Sequence, residues 1–191
     1  MKSKPRKDQI RQKAQLLFRE KGYASTSMRD LADSLGIEAA SLYNHITSKE
    51  EILQDICFSM ATAFFAALEP IVDTDLAPPE KLRSAMEAHL GVIAANSNAS
   101  AVFLHEWRHL GEPYLSDFRL MRRRYERMFR FIVESGMKTG DFREGDVIMT
   151  TRTILSSMNW TYEWYNPNGK VSPKAMSQLI GSLLLDGLIV Q

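Results

Sequence analysis

Thr26-Ser27-Met28-Arg29-Asp30-Leu31-Ala32-Asp33-Ser34-Leu35-Gly36-Ile37-Glu38-Ala39-Ala40-Ser41-Leu42-Tyr43-Asn44-His45 is the stretch that decides the fold. Thr26 or Ser27 can cap a short helix whose inward positions are Met28, Leu31, Ala32 and Leu35. The chain then turns at Gly36-Ile37, and a further short helix runs through Leu42 to about His45. Small Ala32, four residues before Gly36, lets the two helices cross closely. Two short helices joined by a tight glycine turn form a helix-turn-helix.

Upstream, Ile10, Ala14, Leu17 and Phe18 fall at helical spacing and give a first helix one apolar stripe, ending at Gly22. Its other faces are basic. Residues 1–50 hold 10 Lys/Arg against 6 Asp/Glu, while the remainder is mildly acidic. The patch Lys2, Lys4, Arg6, Lys7, Arg11, Lys13, Arg19 and Lys21 suits a polyanion, or else a solvated helix. Downstream, Ser48 and Glu51 form a capping box that launches a fourth helix to about Leu68.

Gly22-Tyr23, Thr26 to Ala32, Gly36-Ile37, Ser41 to His45 and Ser48 to Leu53 together resemble the TetR family of bacterial regulators. The resemblance implies an all-α fold of about nine helices, with a DNA-binding domain at 1–50 and a helical ligand-binding and dimerisation domain at 51–191. It also implies that the helix from Ala39 to His45 enters the major groove of double-stranded operator DNA. Thr26, Ser27, Tyr43, His45 and Lys49 would then hold phosphates, and Ala39, Ala40, Ser41 and Asn44 would face base edges. Tyr43 has a second reading, a ring packed between the second and fourth helices. Three residues depart from the family's habit: Glu38 replaces a small hydroxyl residue and is assigned no base contact, Ala40 replaces a glycine or proline, and Ile46 an aromatic.

Beyond residue 70, Pro70, Asp73, Asp75, Pro78 and Pro79 mark a loop, and later breaks divide the rest into about five helices of a bundle. Their apolar interior is rich in methionine and aromatics. It is either plain core or a cavity for a small hydrophobic effector, walled by Phe64, Met86, His89, Leu90, Phe103, Trp107, Tyr125, Met128, Phe129 and Met158. The last two helices carry Ile154, Leu155, Met158 and Tyr162, then Met176, Leu179, Ile180, Leu183 and Leu184. With small Ser177, Gly181 and Gly187 between them, they are expected to pair a homodimer, or to close the protomer's own core. The run from Asn159-Trp160 through Trp164-Tyr165-Asn166-Pro167 to Leu185-Asp186-Gly187-Leu188 looks like the branch of the family that senses acyl-coenzyme A thioesters of fatty, steroid-derived or aromatic acids. Arg119, Arg123, Arg127 and Arg130 would meet the phosphates of such a ligand, or stand as a solvated face.

Two competing readings follow from other features. His105-Glu106-Trp107-Arg108-His109 satisfies the zinc-hydrolase pattern, but no third ligand stands out and Gly111 falls one place early for the extended motif. A helical adaptor without DNA explains the bundle and leaves the helix-turn-helix unexplained. No catalytic residue, metal ligand or resident cofactor is therefore assigned. One cysteine, Cys57, excludes an internal disulfide framework, and no segment is expected to span a bilayer, so a reducing cytoplasm is the simplest home.

Overall fold

A computed structural model of the chain describes residues 6–166 and 169–189. Lys2 and Lys4 of the basic patch, and Pro167, lie outside the described residues. Among those described the chain is helical throughout, with one isolated bridge between Phe142 and Ile189. The helices are α1 (Arg6–Lys21), α2 (Met28–Ser34), α3 (Ala39–Tyr43), α4 (Lys49–Val72), α5 (Pro78–Ala95), α6 (Ser97–His105), α7 (Tyr114–Thr139), α8 (Val147–Asn159), α9 (Thr161–Trp164) and α10 (Pro173–Asp186). A 3-10 turn, Glu106–His109, follows α6.

The chain forms two compact units, 1–61 with 98–119 and 62–97 with 120–191. The sequence places a boundary at residue 50. The first compact unit runs on to residue 61, inside α4, and also takes in 98–119, where the segment after α6 makes contacts that no local pattern announces. Gly111 N–H donates to Glu50 Oε1 at 2.8 Å, and the His109 ring stacks on Tyr23 at 5.2 Å.

In the first unit α1 buries Ile10, Ala14, Leu17 and Phe18, as its spacing requires. Leu31 and Ala32 of α2, Leu42 of α3, and Ile46 join them. Ile46 is buried, filling with a branched aliphatic the place where the family usually has a ring. Ser27 is the cap of α2. Its hydroxyl accepts from Asp30 N–H at 3.1 Å while the Asp30 carboxylate accepts from Ser27 N–H at 2.8 Å. Gly36 has φ +64°, a conformation that costs other residues strain, and this lets both Leu35 and Ile37 donate to the Ala32 carbonyl.

In the second unit Leu68, Leu82, Met86, Leu90, Phe129, Ile132, Ile154, Met158 and Met176 meet in one core. Gly136 of α7 admits the Phe142 ring: a Cβ there would lie 2.1 Å from it. Asp146 caps α8 through Ile148 and Met149 N–H, and Ser172 caps α10 through Ala175 N–H.

Three expectations change here. Helix α4 continues through Pro70 to Val72 instead of ending near Leu68. A proline so near the end disturbs little backbone bonding, and Ile71 and Val72 pack on the core. The 24-residue α4, with an 18-residue stretch of mean hydropathy 1.5, is also long and apolar enough to cross a membrane, contrary to expectation. Its apolar surface is used within the protein: Ile52, Leu53, Ile56, Cys57 and Met60 are buried in the first unit, and Phe64, Phe65 and Leu68 in the second. Finally, α10 is two-faced. Met176, Ser177, Gly181 and Leu185 turn inward and the helix packs along α5, whereas Leu179 and Leu183 are 62% and 77% exposed. Within the protomer a Cβ at Gly181 would meet nothing within 4 Å.

Candidate functional site

Leu42 and Ile46 root α3 in the first unit, and that anchoring turns its opposite face to solvent. Ala40, Ser41, Tyr43, Asn44 and His45 are exposed, and Ala39 is half-buried. Tyr43 is 53% exposed, so its ring is not the packed one of the second reading. A five-residue helix with a short polar outer face fits the width of a major groove.

Thr26 and Lys49 behave differently from the phosphate contacts expected of them. Thr26 is 1% exposed, and its hydroxyl donates to the Gly22 carbonyl at 2.8 Å. Lys49 Nζ donates to the Tyr23 and Thr26 carbonyls, both at 2.8 Å, and sits 4.2 Å from the centre of the Tyr23 ring. Both side chains are occupied in shaping the loop that leads into α2. Ser27 stays exposed at the cap. The Tyr23 ring is held between Phe18, Lys49 and His109, and burial, then the Glu50 carboxylate, push its phenol up.

Part of the basic patch is likewise spent internally. Lys7 pairs with Glu51 at 3.0 Å, Arg11 with Asp55 and Asp8, and Lys21 with Asp30. Glu51 also accepts from the backbone N–H and hydroxyl of Thr47, each at 2.7 Å, and these bonds with Lys7 bring its carboxyl down to about 2. The capping box expected from Ser48 and Glu51 is therefore shared. Ser48 Oγ accepts from Glu51 N–H at 3.0 Å, while the carboxylate reaches Thr47. Beside α3 lies a recess of about 680 Å³ lined by Arg29, Asp33, Gly36, Ile37, Glu38, Ala39 and Ala40. Arg29 and Asp33 were not legible as its walls, because they come from the helix before.

The ten residues expected around an effector divide between the units. Phe103 and Trp107 pack on Phe118 in the first unit, with centroids 5.3 and 5.8 Å away. Phe64, Met86, His89, Leu90, Tyr125, Met128, Phe129 and Met158 belong to the second. At their centre is a polar relay that sequence spacing did not reveal. Tyr125 Oη lies 3.0 Å from His89 Nδ1, and His89 Nε2 lies 3.1 Å from Asn159 Oδ1. Since an amide oxygen only accepts, His89 Nε2 carries the proton, and in the imidazole that burial keeps neutral Nδ1 accepts from the tyrosine hydroxyl. The rings of Phe64 and Phe129 flank it. Burial lowers the imidazole to about 4, with Asn159 opposing the shift, and burial pushes the Tyr125 phenol up.

The zinc-hydrolase pattern is spread over two kinds of backbone. His105 ends α6, and Glu106 and His109 lie on the 3-10 turn, where His109 Nε2 is 3.5 Å from Glu106 Oε2 and its ring is stacked on Tyr23.

Residues 10–56 match the family described as bacterial regulatory proteins, tetR family, and residues 75–188 match the tetracyclin repressor-like C-terminal domain. The chain is 30% identical over 185 residues to the HTH-type transcriptional repressor KstR2 of Mycolicibacterium smegmatis, covering 96% of this chain and 90% of that one. The structure of the ketosteroid transcriptional regulator KstR2 of Mycobacterium tuberculosis superposes with a TM-score of 0.92 at 26% identity, over 100% of this chain and 98% of that one. The TetR family regulator PfmR of Thermus thermophilus gives 0.82 at 36% identity, over 94% and 98%. These relatives regulate transcription and are not enzymes, which removes the hydrolase reading of His105, Glu106 and His109. The chain belongs to the TetR family of bacterial transcription regulators.

Proposed function

We propose that the chain is a cytoplasmic, homodimeric repressor that holds operator DNA through α3 of each protomer and releases it when a small hydrophobic effector enters the second unit. The observation that carries the reading is the outer face of α3, where Ala40, Ser41, Tyr43, Asn44 and His45 stand free above the buried anchors Leu42 and Ile46. Ala39, Ala40, Ser41 and Asn44 face base edges; Ser27, Tyr43 and His45 hold phosphates. Thr26 and Lys49 shape the loop that leads to Ser27.

Ile148 and Met149 at the start of α8, and Leu179 and Leu183 of α10, are exposed apolar side chains of the second unit that an isologous partner would cover. Two α3 helices then address the two halves of a symmetric site. The effector site is built on the eight second-unit residues named above, with the His89 relay as its polar point. An acyl-coenzyme A thioester would place its acyl chain in this apolar interior, and Arg123 and Arg127 are exposed cations available to its phosphates, whereas Arg124 is engaged with Glu69 and Phe65. KstR2 of Mycobacterium tuberculosis is a ketosteroid transcriptional regulator, so steroid-derived acids belong in the test panel beside fatty and aromatic ones.

The test of DNA binding is a gel-shift titration on the DNA upstream of the chain's own gene. Affinity should fall with salt by about 0.9 log units per log unit for each phosphate neutralised. A shift indifferent to salt, or no shift, contradicts the reading. For the effector, calorimetry with the thioester panel should give heat and loss of the shift for at least one member; silence from all of them removes that ligand class.

A further inference from the structure

Glu38 stands at the leading edge of the DNA-facing helix with no protein group holding it. It occupies the N-cap position of α3, yet its side chain makes no capping hydrogen bond, and no ion pair engages it among the described residues. Only its backbone carbonyl is used, accepting from Ser41 and Leu42 N–H. The side chain is exposed and lines the recess that also contains Arg29, Asp33, Ala39 and Ala40.

Neither stability nor affinity accounts for a carboxylate there. A serine, threonine or aspartate would cap the helix. A negative charge carried against two strands of phosphates weakens binding to every duplex. What a carboxylate adds is discrimination, because it only accepts. In the major groove cytosine offers its N4 amino group with no acceptor of its own beside it. Adenine sets N7 next to its amino group, and guanine and thymine present oxygen acceptors that repel a carboxylate. The methyl side chains of Ala39 and Ala40 leave the recess open to the reach of Glu38.

We propose that Glu38 is a specificity-determining residue whose carboxylate accepts from the N4 amino group of one cytosine in each half-site. The proposal rests on α3 lying in the major groove. Full-length protein, in the wild-type form and as Glu38→Ala, Glu38→Gln and Asp33→Asn, is used to select sites from a library of randomised duplexes. Wild type should prefer cytosine about ten-fold at one symmetry-related pair of positions. Glu38→Ala should lose that preference at those positions alone, and Glu38→Gln should move it toward adenine, which an amide can address with a donor and an acceptor. Asp33→Asn removes a charge from the same recess and should keep the cytosine. Because Glu38 makes no side-chain bond, its variants should melt as wild type does. Superimposable preferences for wild type and Glu38→Ala would overturn the proposal alone, as would loss of the cytosine in Asp33→Asn. A wild-type protein that selects no motif would overturn the DNA reading with it.

Discussion

Lys49 and Thr26 show how far residue type alone carries a functional reading. Their positions in the motif suggest phosphate contacts, but the ammonium of Lys49 spends two hydrogen bonds on the carbonyls of Tyr23 and Thr26, and the Thr26 hydroxyl bonds Gly22. Lys49→Ala should accordingly cost about 1–2 kcal/mol of stability, seen as a lower melting temperature, and leave the salt dependence of operator binding unchanged. A salt slope reduced by about 0.9 would instead mark Lys49 as a phosphate contact. His89 gives a second prediction. Its imidazole is held at about 4 in the fold, against an ordinary value near 6.5, so between those values the unfolded chain binds the proton more readily. Its contribution is complete above about pH 6.5 and is lost as pH falls toward 4, by about 3 kcal/mol in all. Melting temperature against pH should therefore flatten across that window in His89→Gln. An unchanged profile would show that the imidazole is not the titrating group. The relay itself was not legible, since Tyr125 and Asn159 lie 36 and 70 positions along the chain from His89 and the three share no pattern.

At the scale of elements, the helix-turn-helix was read almost residue by residue, because its determinants are local. The Ser27 cap, the positive φ of Gly36 and the burial of Leu31, Ala32 and Leu42 all follow from neighbours within a few positions. Where α4 ends and which way α10 faces depend on distant partners instead. Pro70 looked like a terminator until Ile71 and Val72 found the core, and the apolar run of α10 is divided between α5 and solvent. Gly136 is a determinant the sequence left silent: Phe142, which lies over it, is six residues away in a different segment. Gly136→Ala should destabilise the second unit by about 1–3 kcal/mol through overpacking, measurable by denaturant titration. Truncating the ring in the same chain, as Gly136→Ala with Phe142→Ala, should leave the added methyl without further cost.

For the whole molecule, composition pointed to a basic front and an acidic remainder, and the structure shows why the contrast overstates the DNA-facing charge. Lys7, Arg11 and Lys21 are paired with carboxylates of their own unit. Two protomers provide what one cannot, a symmetric pair of reading helices. Leu179→Glu with Leu183→Glu should yield a folded monomer by sedimentation, since both side chains already face water in the single protomer. A dimer that survives the pair of charges would place the contact elsewhere. The central claim is that the outer face of α3 reads the duplex. It is tested most directly by titrating wild type and the Tyr43→Ala, Asn44→Ala double variant against the DNA upstream of the chain's own gene at one salt concentration. The account predicts equal melting temperatures and an operator affinity weaker by about 2–3 kcal/mol in the variant. Equal affinities would contradict it.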